Sequence, residues 1–357
     1  MKHLELFSGI GGFRRALDLL TQDKVLSFQC VGFSEIDDKA KRTYKAIYET
    51  KGEFDIGDIV KFTSNKKNIR ALPSFDLLTG GFPCQTFSMM GKQQGFNEDR
   101  GQMFFRIMDI VDQKSPKFIL LENVKNLYTH DKGKTYARIE SELKARGYKV
   151  FSDIFNTADF QLPQKRSRIL IFATKGCAPK NFGQQFSSQT IKEYFRKNIN
   201  KTSVLRYKTT LQLLERVAPQ KYYLSERIKP TILADGSANF QSRSEINQII
   251  ARPLTASMHK MHRACQDNYY SQDFIDSNGK VNHVLDYTKS QLARLAIRKL
   301  TPREAFKLQG FPSSFADKAS QMGVADGALY KQAGNAVSVN VIYAVLFYLV
   351  KNGVIYE

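Results

Sequence analysis

The sequence predicts an α/β protein: a mostly parallel sheet with helices on both faces, joined to a second, smaller and irregular domain. Three observations predict it. Short apolar runs alternate with helix-patterned stretches over residues 1–175, as strand–helix–strand units require. Glycines and polar residues gather at the ends of those runs rather than along them, where open α/β sheets place their ligand sites. From residue 176 the alternation fades, and Gln, Ser, Asn, Tyr and Lys become frequent.

The elements follow in order. His3–Phe7 is a short strand ending in Ser8-Gly9-Ile10-Gly11-Gly12, and Phe13–Leu20 has helical spacing. Phe28–Ser34 is a second strand, closed by Glu35. Asp76–Thr79 is a third, closed by Gly80-Gly81, and Phe118–Leu121 a fourth, closed by Glu122-Asn123. Gln102–Val111 and Lys134–Arg146 read as helices, and Arg168–Ala173 as a later strand. Regular texture returns after Leu300. Thr301-Pro302-Arg303-Glu304 starts a helix, with Thr at the N-cap and Pro at the first helical position. Ala336–Val350 is a strongly apolar helix that needs a core to bury it. The expected domains are therefore 1–175 plus 301–357, and 176–300.

Composition narrows the partners. The chain has 357 residues, 42% hydrophobic and 25% charged, which excludes a disordered chain, a collagen and a coiled coil. The net charge of +20 points to a polyanion such as nucleic acid or an anionic membrane. Residues 176–300 hold 20 Lys/Arg against 9 Asp/Glu. Cys30, Cys84, Cys177 and Cys265 are far apart and lack C-x-x-C spacing, so neither a zinc knuckle nor a disulfide scaffold is expected, and no metal. The start, Met1-Lys2-His3-Leu4-Glu5, lacks the apolar run of a signal peptide, and the Ala336–Val350 stretch is too short to span a bilayer. The expectation is a reducing, cytoplasmic setting with no membrane contact.

Four motifs carry chemistry. Phe7-Ser8-Gly9-Ile10-Gly11-Gly12-Phe13 lies between a strand and a helix, where glycines let backbone approach a ligand and the helix offers N–H groups. Glu35, at the end of strand two, is placed to bind ribose hydroxyls, so the pair fits a nucleoside cofactor. In Gly80-Gly81-Phe82-Pro83-Cys84-Gln85 a proline-fixed thiol stands at a strand end and can act as a nucleophile; a small buried hydrophobe is the alternative, and the one taken for the other three cysteines. Glu122 in Leu121-Glu122-Asn123-Val124 can hydrogen-bond a base or donate a proton, or serve as a turn carboxylate. Arg166 and Arg168 in Pro163-Gln164-Lys165-Arg166-Ser167-Arg168 would share a face and contact phosphate or a base edge, or form a solvated basic patch.

In order, type and spacing, these motifs resemble the DNA (cytosine-5)-methyltransferase family of bacterial restriction-modification type, over nearly the whole chain. The resemblance extends to Gly57-Asp58-Ile59, Gly91–Phe96, Arg100–Phe105, Arg252-Pro253-Leu254-Thr255-Ala256-Ser257 and Tyr330–Val337. It implies a Rossmann-like methyltransferase fold with S-adenosyl-L-methionine as cofactor, held by Phe7, Gly9, Ile10, Gly11, Gly12, Glu35, Ile36, Asp58, Ile59, Phe82, Pro83, Met103, Asn335 and Ala336. Cys84, Glu122, Arg166 and Arg168 would be catalytic. Gln85, Ser88, Asn123 and Thr255 would meet the substrate, and 176–300 would recognise the target. Two positions depart from the pattern: Ile36 stands where an aromatic is common, and Ala336 replaces a common Ser. The implied partner is double-stranded DNA, bound by a monomer, with a cognate restriction endonuclease as genetic partner and not as a subunit. The rivals are a tRNA cytosine-C5 methyltransferase with the same core, a non-catalytic DNA-binding protein on this fold, and a nicotinamide oxidoreductase, which the glycine turn and Glu35 suggest but which leaves the Cys84 loop unexplained. Phe82 before Pro83-Cys84 speaks against the first, and the joint presence of Cys84, Glu122 and Arg168 against the second.

Overall fold

A computed structural model describes residues 1–83, 103–176, 182–237, 240–241, 243–260, 262, 265–282, 284 and 286–356. The chain forms two compact units. The first comprises Met1–Asn156, Ser167–Val204 and Val337–Glu357, the second Thr157–Arg166 and Leu205–Ala336.

The first unit is built on a seven-stranded sheet. In chain order its elements are β1 (Lys2–Leu6), α1 (Gly12–Gln22), β2 (Gln29–Phe33), α2 (Asp38–Ile47), β3 (Phe54–Asp55), α3 (Ile59–Thr63), α4 (Lys66–Ala71), β4 (Leu77–Gly81), α5 (Met103–Lys114), β5 (Phe118–Val124), α6 (Lys134–Ala145), β6 (Lys149–Asn156), β7 (Ser167–Thr174), α7 (Phe182–Gln185) and α8 (Ser188–Asn198). The strand order is β3-β2-β1-β4-β5-β7-β6. The first five strands are parallel, whereas β7 runs antiparallel to both β5 and β6.

Alternation along β1 sends its side chains to both faces. Leu4 and Leu6 enter a core with Ile59, Phe62, Ile107, Met108, Ile139 and Leu143 from α3, α5 and α6. His3 and Glu5 point to the other face and are fully buried there. The Tyr44 hydroxyl of α2 donates to Glu5 Oε2 at 3.1 Å, and the Arg14 N–H of α1 donates to Glu5 Oε1 at 3.3 Å. Burial raises the Glu5 carboxyl from 4.5 to about 8. It lowers the His3 imidazole to about 3, which bonds Thr79 at 2.7 Å.

The second unit has little regular sheet. It contains α9 (Lys229–Leu233), the two-residue strands β8 (Gly236–Ser237) and β9 (Phe240–Gln241), β10 (Tyr269–Ser271), α10 (Gln272–Asp276), α11 (Lys289–Leu292), β11 (Ile297–Lys299), α12 (Pro302–Leu308), α13 (Ser313–Gln321) and α14 (Asp326–Asn335). A small core gathers Leu224, Ile232, Leu233, Ile246, Tyr269, Leu292 and Ile297. Beside it Arg298 and Glu304 pair at 2.8 Å with both side chains 0% exposed. The Glu304 carboxylate also accepts the Thr301 and Glu215 N–H groups, each at 2.7 Å. A buried ion pair needs such extra bonds to offset desolvation. Thr301 caps α12 as expected, within a full capping box.

The chain re-enters the first unit at Val337, and α15 (Val339–Lys351) packs against α1 and α8. Val339–Leu349 are all buried, so this apolar helix is a core element, as its composition predicts.

The units divide the chain differently from the expected domain limits. Residues 182–204 belong to the first unit because α8 buries Ile191 and Phe195 and packs against α15 and β6. Residues 301–336 belong to the second because α12, α13 and α14 pack on one another and Glu304 closes on Arg298. Of the expected fold-back, only the part from Val337 onward lies in the first unit.

Candidate active site

The glycine turn after β1 is shaped by left-handed backbone. Phe7, Gly9 and Gly11 have φ of 54°, 55° and 78°, a region open mainly to glycine. The Gly11 N–H donates to the Ser8 carbonyl at 2.7 Å, closing the turn. Glu35 reaches in from beyond β2. Its Oε2 accepts the Gly9 N–H at 2.8 Å and its Oε1 accepts the Asp37 N–H at 2.7 Å.

The two sides of this turn differ. Among the described residues, a methyl group in place of the Gly9 hydrogen would meet nothing within 4 Å, whereas one on Gly12 would come within 2.4 Å of Val337 Cγ2. Ile10 and Phe13 are buried beneath the turn. Ile36, next to Glu35, is 71% exposed, which is unusual for isoleucine and leaves an apolar face beside the carboxylate. Asp58 caps α3, accepting the Val60 N–H at 2.9 Å, with Ile59 buried behind it.

The other half of the site lies on β4 and β5. Gly81 and Glu122 are neighbours in the parallel ladder, and a methyl on Gly81 would stand 3.3 Å from Glu122 Oε2. Arg168 Nε lies 3.0 Å from Glu122 Oε1, and the two side chains are 22% and 12% exposed. Their strands bring them together, since Arg168 faces Val124 across the β5–β7 ladder. Phe82 is buried, and its carbonyl accepts the Asn123 side-chain N–H at 2.8 Å. Cys84, Gln85 and Ser88 lie outside the described residues; Met103 opens α5 and packs against the core of the first unit.

Three expected site residues occupy different surroundings. Arg166 is 2% exposed and belongs to the second unit. Its guanidinium donates to the carbonyls of Leu254 at 2.9 Å and of Gly334 and Ala336 at 3.0 Å. β7 begins at the next residue, Ser167. Asn123, expected at the substrate, turns inward to Phe82. Thr255 lies against the end of α14, where a methyl on Gly334 would fall 2.3 Å from its carbonyl carbon. Asn335 and Ala336 close that helix, and the Ala336 N–H donates to Gln332.

Sequence reasoning also missed Gln164. It is fully buried, donates to the Leu308 carbonyl at 3.0 Å and accepts the Leu254 N–H at 2.9 Å. Nothing in a lone glutamine signals such a bridge; its place inside a basic, otherwise polar run hides it.

A mostly parallel sheet with the glycine turn, the acid and the Glu–Arg pair at its strand ends is the frame of a methyltransferase, and the comparisons specify which. A family model described as C-5 cytosine-specific DNA methylase matches residues 1–351. The chain is 36% identical over 345 residues to the Type II methyltransferase M1.ScrFI of Lactococcus lactis subsp. cremoris, covering 96% of this chain and 76% of that protein. It is 34% identical to the Type II methyltransferase M.DsaV of Dactylococcopsis salina, covering 97% and 84%. Among solved structures, the S. pombe Dnmt2 methyltransferase superposes with a TM-score of 0.73 at 21% identity, covering 98% of each chain. The chain belongs to the C-5 cytosine-specific DNA methylase family. It is a DNA cytosine-5 methyltransferase that uses S-adenosylmethionine.

Proposed function

We propose that this chain is the modification enzyme of a restriction-modification system, methylating C5 of a cytosine flipped out of a specific duplex sequence. The observation that carries the residue assignment is the Glu122–Arg168 pair at 3.0 Å, one strand from the strand that leads into Pro83-Cys84. Its relatives named as Type II methyltransferases support the biological role. The enzyme acts as a monomer in the cytoplasm, and a cognate endonuclease is its genetic partner.

The residues fit the cofactor. Each Glu35 oxygen already takes one backbone N–H, and a carboxylate has further acceptor sites for the ribose hydroxyls. The open space at Gly9 admits the ligand backbone, and the exposed Ile36 offers an apolar platform to the adenine. Gly11, Gly12, Phe7 and Ile10 shape the turn, and Asp58 and Ile59 bound it beyond β3. Phe82, Pro83 and Met103 are proposed to complete the pocket; the resemblance to the family also gives Asn335 and Ala336 a cofactor role. Bound there, S-adenosylmethionine supplies the methyl group that cytosine C5 receives.

The chain's own groups make C5 able to receive it. The Cys84 thiolate adds to C6 of the extruded ring, forming a C–S bond and moving an electron pair to C5. Glu122 holds a proton at N3, neutralising the charge that develops as sulfur adds. Arg168 orients Glu122 and favours negative charge at O2. After methylation a base removes the C5 proton and the thiolate leaves. Extrusion costs a few kcal/mol of lost stacking and pairing. Gln85, Ser88 and Thr255 are proposed to contact the nucleotide, and the Lys- and Arg-rich 176–300 region to hold phosphates.

The test is tritiated methyl transfer to duplex DNA and to tRNA, with bisulfite sequencing of plasmid from expressing cells. Transfer to DNA at one recurring sequence, lost in Glu122→Gln with cofactor binding kept, is expected. Transfer to tRNA alone, or a Glu122→Gln enzyme of wild-type rate, overturns the reading.

A further inference from the structure

We propose that Tyr48 and Arg14 are positioning residues for the cofactor, bracing the glycine turn from behind. This rests on the reading of the turn and Glu35 as the S-adenosylmethionine site, and extends it to residues that lie on the opposite side of the turn.

Tyr48 follows α2 and is buried. Its hydroxyl donates to the Gly11 carbonyl at 2.8 Å and approaches the Ile10 carbonyl at 3.4 Å. Its ring fills the space behind the turn, and a methyl on Gly11 would lie 2.4 Å from ring carbon Cε2. The Gly11 carbonyl and the Gly12 N–H belong to one planar peptide group. Fixing the carbonyl therefore fixes the direction of that N–H, the first of α1. Helix-start N–H groups are those a ligand meets.

Arg14 braces Tyr48 in turn. Its guanidinium stands 5.0 Å from the centre of the Tyr48 ring. It is itself tied down by Glu53 at 2.6 Å and the Glu49 carbonyl at 3.2 Å. Its Nη1 also lies 3.3 Å from the Tyr44 hydroxyl, which donates to Glu5 of β1. The turn is thus held from two sides: Glu35 takes the Gly9 N–H in front, and Tyr48 holds the Gly11 carbonyl behind. Burial pushes the Tyr48 phenol well above the usual tyrosine range, so it remains a donor at any working pH.

The test compares Tyr48→Phe, Arg14→Gln and Glu35→Gln in the full chain. S-adenosylmethionine affinity is measured by calorimetry, alongside kcat and the KM for cofactor and for DNA. Tyr48→Phe keeps the ring and removes one hydrogen bond. The Kd and KM for cofactor are expected to rise about three- to ten-fold, while the KM for DNA and the kcat at saturating cofactor stay within about two-fold. Arg14→Gln moves the same constants in the same direction. If Glu35→Gln weakens the cofactor and Tyr48→Phe does not, the bracing role is wrong and the cofactor site stands. If neither weakens it, the cofactor site itself is misplaced. A Tyr48→Phe enzyme whose two KM values rise together has lost general stability, which also overturns the inference.

Discussion

Asn123→Ala isolates what holds the approach to the thiol loop. The substitution removes the donor that meets the Phe82 carbonyl at 2.8 Å and the acceptor of the Val124 N–H at 2.8 Å. Asn123 is 2% exposed and Phe82 3%, so water does not readily replace the first bond. Losing a hydrogen bond at a buried carbonyl costs about 1–3 kcal/mol. The second bond adds little, because Val124 is 37% exposed and its N–H can turn to solvent. The last ladder pair between β4 and β5 is Gly81 with Glu122. The Asn123–Phe82 bond is the next tie, two residues before Cys84. A cost borne there slows attack of the thiol by about five- to 150-fold. Single-turnover methyl transfer into duplex DNA reads this directly, with cofactor affinity as the control. A folded Asn123→Ala enzyme with an unchanged single-turnover rate would refute the reasoning.

Three further outcomes follow from the geometry. The Glu5 carboxyl, raised from 4.5 to about 8, stabilises the fold fully below its unfolded value, and that contribution is lost as pH rises toward 8. Its surroundings include Arg14, Tyr44 and Asp18. His3 runs the opposite way, between 6.5 and about 3, so above 6.5 Glu5 is the dominant of the two; the urea midpoint of the wild type should fall from pH 6.5 to 8, and that of Glu5→Gln should fall less. Arg166→Ala strips donors from three buried carbonyls and should cost about 3 kcal/mol or more of stability, whereas Arg168→Ala should lower kcat while leaving the urea midpoint near wild type; reversed results would exchange their roles. Gly334→Ala forces a methyl to within 2.3 Å of the Thr255 backbone and should yield a less stable protein with weakened DNA binding, and equal stability by urea titration would show that the segment yields.

Much of the site was legible because strand ends concentrate it. The glycine turn, Glu35, Gly81–Pro83 and Glu122 each close an apolar run that forms β1, β2, β4 or β5. The Arg168 pairing with Glu122 needs β7 to run antiparallel beside β5; the apolar run Arg168–Ala173 announces the strand, but no local pattern announces its direction or neighbour. β6 was missed because Lys149–Asn156 mixes Phe151, Ile154 and Phe155 with Ser152 and Asp153 without clean alternation, as an edge strand tolerates. β3 is only two residues long. The bonds of the Arg166 guanidinium to the carbonyls of Leu254, Gly334 and Ala336 join residues far apart in sequence, so spacing alone does not announce them. The domain limits shifted because composition changes at residue 176, whereas packing follows the Ile191 and Phe195 spacing of α8.

The central claim is that Cys84 attacks cytosine C6. Duplex DNA containing 5-fluorocytosine at the target site tests it most directly, because fluorine blocks loss from C5 and arrests the covalent adduct. The account predicts a denaturation-resistant protein–DNA complex that requires S-adenosylmethionine and disappears in Cys84→Ser. A complex that persists in Cys84→Ser would contradict it.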